Sequence, residues 1–246
     1  MVDNWVDYWT HLPWMAVRAD SVEHVIAPTG LTNFSPISWN DGVTAAHDRL
    51  FVSPLMEGWV LLVGDVDAVL DEYFKRRTID ETSSYEYLSE TYLGMCEMSL
   101  RFKNVQIFHR YPDGCFHFYA KAIKGKIVRS YLLNGEKNIL SEIGQPNAFE
   151  IHHGACFDRE VVEAASLKGR NDMERFIPRM AGRWSINPEM LGKPKWAWLK
   201  DAKGLVYNGQ SKRSREIEEW LKGWKRDFAE TLSKESNGTK MINWSQ

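Results

Sequence analysis

The sequence predicts an α+β protein, a mostly antiparallel sheet with flanking helices, and three observations carry the prediction. Residues 104–136, NVQIFHRYPDGCFHFYAKAIKGKIVRSYLLNGE, set turn sequences between runs of β-branched and aromatic residues, the pattern of a three-stranded antiparallel meander. Residues 83–102 place apolar side chains at helical spacing behind a Ser83/Glu86 capping box. Residues 14–64 run through strand, helix and three strands ahead of that helix, so the chain to residue 136 reads as a duplicated β-α-β-β-β unit.

In chain order, Trp5, Tyr8, Trp9 and Trp14 make the N-terminus too aromatic for a free tail and predict a cap over the core. A strand at Trp14–Arg18 follows, then a short helix N-capped by Asp20 with Val22, Val25 and Ile26 inward, stopped by Pro28 and Gly30. Strands are expected at 37–46, 50–53 and 59–63, the last apolar throughout as a central strand should be. Residues 65–81 are charged and irregular, readable as a helix or a partner loop. In the helix to residue 102, the expected buried stripe is Tyr85, Leu88, Tyr92, Met95, Cys96, Ser99 and Leu100. A first meander turn centred on Asp113 would set His109 opposite His117, and a two-residue turn at Lys124-Gly125 would set Ile123 opposite Lys126 and Tyr119 opposite Ser130.

After Gly144-Gln145-Pro146 the expectations are a short strand at 148–152, a helix over 158–168 and a second helix capped by Asn171, interrupted by Pro178 and ending near Gly182. Asn187-Pro188 starts one more short turn, Lys203-Gly204 centres a hairpin, and Ser214 caps a final helix with Trp220 and Trp224 on its buried face. The division this suggests is an α+β sheet domain over 1–146 and a mainly helical C-terminal segment over 147–246 packed on it.

With 246 residues and 43% hydrophobic content, the chain can bury a large core. No apolar run approaches the roughly 20 residues of a membrane helix, and the N-terminus lacks the basic-then-apolar order of a signal peptide, so a cytoplasmic protein is expected. Three cysteines, Cys96, Cys115 and Cys156, without metal-type spacing, argue against a disulfide framework and a zinc finger. The net charge of −2 hides a polarity: residues 1–100 hold 16 acids and 5 bases, a balance of −11, and the remainder 17 acids and 26 bases, +9.

The segments FVSPLMEGWVLLVG, FKNVQIFHRYPDGCFHFYAKAIKGKIVRSYLLNGE, GQP and MAGRWSINPEML, across residues 14–191, resemble a family of uncharacterised bacterial proteins with a Gly-Trp strand, an Arg-x-Tyr strand, a Gly-x-Pro and a Trp-Ser-x-x-Pro. The resemblance implies no activity and carries over no functional residues. In size and aromatic richness the chain is similar to immunity proteins of bacterial toxin systems.

Three functions compete. Asp41, Asp48, Glu57, Asp65, Asp67, Asp71 and Glu72 fall in or beside predicted loops and strand ends, where they would form an acidic docking face for a basic protein. On that basis the expected function is a non-enzymatic protein-binding module, an immunity-type inhibitor of a basic toxin enzyme, with no cofactor and no membrane partner. A cross-strand His109/His117 pair completed by His152 would instead suit a metal-dependent hydrolase, although a histidine pair on a sheet is more often structural than ligating. The basic C-terminal half, with KPKWAWLK and SKRSR, would suit nucleic acid, but its tryptophans follow core spacing and the pI of 6.4 weighs against that reading. Cys115, Cys156 and Ser53 lack the flanking residues of a nucleophile, and no glycine-rich phosphate loop is present.

Overall fold

Alternation along Trp14–Arg18 (β1) sends Trp14 and Ala16 to one face of a sheet and Met15 and Val17 to the other, and in the computed structural model all four are buried. A strand apolar on both sides needs cover on both sides, and helices supply it. The structure describes residues 12–74, 86–110, 116–134, 139–152, 170–191 and 193–209, with Arg215 and Glu219 beyond. The strands after β1 are Phe34–Ser38 (β2), Leu50–Val52 (β3), Trp59–Gly64 (β4), Val105–Arg110 (β5), Phe116–Ile123 (β6), Lys126–Asn134 (β7), Ile139–Ile143 (β8) and Lys203–Tyr207 (β9). The helices are Val22–Ile26 (α1), Trp39–Ala45 (α2), Asp67–Phe74 (α3), Glu86–Arg101 (α4), Ala148–His152 (α5) and Arg170–Trp184 (α6), with 3-10 turns at Ala27–Thr29, Pro188–Met190 and Pro194–Asp201.

All nine strands join one antiparallel sheet in the order β2-β9-β3-β4-β1-β5-β6-β7-β8. The expected α+β class with flanking helices is what the chain adopts. Its first face, carrying Trp14, Leu61, Phe108, Tyr119 and Tyr131, packs under α2, α5, α6 and the Pro194–Asp201 turn. The second face, carrying Met15, Val60, Leu62, Phe118 and Ala120, packs under α1, α3 and α4. Rings dominate the first core: Phe108 stacks on Trp14 at 5.3 Å, and Tyr119 meets Tyr131, Phe176 and Trp184 at 5.5–5.8 Å.

Several expectations need correction. Trp39–Ala45 is a helix, where a strand over 37–46 is expected, because Ser38 and Asp41 form a reciprocal cap: Asp41 N donates to Ser38 Oγ (3.2 Å) and Ser38 Oγ donates to the Asp41 carboxylate (2.6 Å). Ala148–His152 is a helix for the same kind of reason. The Asn147 side chain accepts from Phe149 N and Glu150 N, and Glu150 Oε2 accepts from Asn147 N at 2.8 Å. The α1 cap is Ser21, one residue past the expected Asp20. Residues 203–207 form a single strand inserted between β2 and β3 in place of a hairpin, so the segment after residue 146 contributes to the sheet as well as covering it. The meander has a fourth strand, β8.

The meander register also differs. His109 lies opposite Phe118 and His117 opposite Arg110, one residue from the expected pairing, while Ile123 faces Lys126 as expected. An irregularity at Lys121/Ala122 then moves Tyr119 opposite Tyr131 and Ala120 opposite Ser130. The α4 stripe holds for Met95 and Ser99 but not for Leu100, which is 66% exposed; Met98 is buried in its stead. Trp5, Tyr8, Trp9, the Ser83 cap, the 158–168 helix and the buried face expected after Ser214 lie outside the described residues.

Candidate functional site

Two antiparallel strands bring the backbones of several predicted acidic residues together. Pairing of Leu50 with Gly64 brings the turn before β3 against the chain leaving β4. Gly64 makes the crossing possible: its φ is +89°, and a Cβ there would sit 2.1 Å from the Ala46 carbonyl oxygen and 2.3 Å from that of Arg49. Asp65 N donates to the Arg49 carbonyl (3.2 Å), and Gly64 N to that of Pro13 (2.9 Å). The backbone at Asp48, next to Arg49, is thereby brought near that of Asp65, and Asp67 opens α3 immediately afterwards. Asp48 is exposed, and Asp65 and Asp67 are half-buried. Arg49, also exposed, turns away through Nη1 to Asn208 Oδ1 at 3.2 Å. Asp71 and Glu72 continue along α3, half-buried, over the second face.

The other two acids lie at the opposite end of the strands. Asp41 is engaged in the α2 cap. Glu57 has a φ of +51°, reaches Lys195 Nζ at 2.5 Å, and its carbonyl accepts from Arg18 at 2.9 Å. The seven predicted carboxylates therefore form one corner, Asp48, Asp65 and Asp67, with a flank of two; Asp41 and Glu57 belong elsewhere.

The histidines are not brought together. A one-residue register step puts His109 on the second face and His117 on the first, where His117 is 6% exposed, and His152 ends α5 on the surface. Among the described residues no group of three or more His, Cys, Asp or Glu side chains stands at metal-binding separations. In the basic segment, Trp196 is buried and Trp198 is 44% exposed with its ring 6.2 Å from that of Trp196; Trp220 and Trp224 lie outside the described residues.

The sequence reading missed a buried ionic cluster on the first face. Arg129 Nε donates to Glu150 Oε1 at 2.7 Å, Tyr119 donates its hydroxyl proton to the same oxygen at 2.5 Å, and Arg129 Nη1 donates to Glu142 and to the carbonyls of Ile143 and Gly144. Glu150 is wholly buried and Arg129 is 4% exposed. The network ties α5 to β6, β7 and β8, a structural use of charge that leaves its donors and acceptors occupied. Nearby, Lys121 lies 5.2 Å from the Trp184 ring centroid, and burial pushes its pKa down.

No protein-family model, no curated protein and no solved structure matches this chain. No helix among the described residues is long and apolar enough to cross a membrane.

Proposed function

We propose that the chain is a non-enzymatic protein-binding module, most concretely an immunity-type inhibitor that binds a basic toxin enzyme in the bacterial cytoplasm and covers its active site or substrate path. The observation that supports this reading is the pinned corner of Asp48, Asp65 and Asp67. Backbone hydrogen bonds and the Gly64 crossing pin the chain that carries these residues, which limits the backbone ordering entropy lost when a partner docks. A fixed patch of one sign raises the association rate of an oppositely charged partner and penalises wrong ones.

The test is a low-salt pull-down of the tagged full chain from its own bacterium, followed by association kinetics with the partner recovered. A single stoichiometric basic protein is expected, whose association slows about 10- to 1,000-fold with the Asp48→Lys/Asp65→Lys/Asp67→Lys variant and with added salt. Recovery of no such partner, or of one indifferent to the triple reversal, would overturn the proposal.

A further inference from the structure

At the end of the strands opposite the acidic corner, the last turn of α4 packs on the β6–β7 turn to form a knuckle. Gly125 N donates to Ser99 Oγ at 2.8 Å, and Leu100 lies across Gly125 so closely that a Cβ there would be 2.6 Å from Leu100 Cδ2. This contact gathers four cations, Arg101 and Lys103 from the helix end and Lys124 and Lys126 from the turn. All four are exposed, and among the described residues none forms an ion pair. Leu100, in their midst, is the most exposed large hydrophobic residue described, at 66%.

The backbone supplies an independent argument. Only three described non-glycine residues have positive φ, and two are Lys103 (+45°) and Lys124 (+51°). Asparagine or glycine fits that conformation with less strain, and Lys124 precedes Gly125 at +78°, where Asn-Gly would be the favoured turn. Helix-end electrostatics account for Arg101. They also favour a cation at Lys103, two residues past the helix, but do not account for Lys124, a strained turn position where the charge is present at the expense of local stability.

We propose that this knuckle is a docking surface for an anionic lipid bilayer. An exposed leucine beside exposed cations that form no ion pair among the described residues matches the interface, where the cations meet acidic headgroups and the leucine enters the acyl boundary. A phosphate backbone would use the cations but give Leu100 nothing to bury against, so nucleic acid fits less well. Such binding is peripheral and reversible, and it departs from the expectation of no membrane partner.

The test is sedimentation of the full chain with phosphatidylcholine vesicles, with and without about one-third phosphatidylserine, across lipid and salt concentrations. Binding is expected only to the acidic vesicles and is expected to fall with salt. Lys103→Asn and Lys124→Asn should each weaken it roughly fivefold, while leaving the fold as stable as the parent or more so, since asparagine tolerates left-handed backbone. Leu100→Ser should weaken it a further severalfold. The Asp48→Lys/Asp65→Lys/Asp67→Lys chain should still bind vesicles, which separates this surface from the protein-partner proposal. Equal binding to neutral vesicles, full binding by both asparagine variants, or retention of a DNA or RNA duplex without retention of acidic vesicles would overturn it.

Discussion

Replacing Arg129 with methionine removes a guanidinium that is 4% exposed from a carboxylate, Glu150, that is 0% exposed. The two are 2.7 Å apart, and the arginine also serves the carbonyls of Ile143 and Gly144. Stranding a buried charge in this way costs about 3–5 kcal/mol, far more than the net worth of an exposed pair. With a urea dependence of about 2–3 kcal/mol per molar, the unfolding midpoint should drop by about 1–2.5 M. Glu150→Gln should cost stability in the parent, where it weakens the partner of Arg129. In the Arg129→Met chain it should be neutral or restoring, because it neutralises the stranded charge yet still accepts from Tyr119. Urea titration of the four chains by tryptophan fluorescence reads this cycle. A loss below about 1 kcal/mol for Arg129→Met, or an equal cost of Glu150→Gln in both backgrounds, would refute the view that this network holds α5 to the sheet by charge.

Three further outcomes are expected. Gly64→Ala should destabilise by more than about 2 kcal/mol, because it adds left-handed strain to a clash with two carbonyl oxygens, and thermal unfolding should show it. Met98→Ala, at a wholly buried site, should cost about 2–5 kcal/mol, whereas Leu100→Ala should change little; reversal of that order in urea titration would mean that α4 is rotated from the orientation described. Burial holds the Lys121 pKa below its ordinary value of 10.5, so the unfolded chain binds more protons than the native one between the two values. The desolvation penalty is therefore complete below the folded pKa and disappears as pH rises to 10.5: parent stability should gain on Lys121→Met across that alkaline window, a gain measurable by urea titration at successive pH values.

Local chemistry made some of this legible in advance. Trp59–Gly64 reads as a central strand because every position is apolar, and it lies fully buried between β3 and β1. Two helices were misread as strands although their caps were in plain sight: Ser38 with Asp41 and Asn147 with Glu150 have the spacing of a capping box, and short apolar runs masked it. The His109/His117 reading failed on one residue of register, because alternation carries a single slip across the whole sheet. Of the seven acids, Asp48 and Asp65 were recoverable as the base of a β3–β4 hairpin, but Glu57 was assigned to the same patch although it occupies that hairpin's tip. The cationic knuckle was out of reach, since Lys124-Gly125 announces a turn and nothing in its neighbourhood announces Ser99 or Leu100.

The position of β9 governs how this chain can be made. Ser38 pairs with Lys203, and among the described residues β9 is the strand that joins β2 to β3, so β2 has no seat in the sheet until residue 203 and its neighbours have left the ribosome. At about 5–20 residues per second, the 165-residue interval amounts to roughly 8–33 s. Throughout that time β3 presents a bare edge flanked by wholly apolar side chains, so chains truncated by premature termination or proteolysis ahead of residue 203 should be captured by chaperones or aggregate through that edge, and only chains that extend through β9 close it.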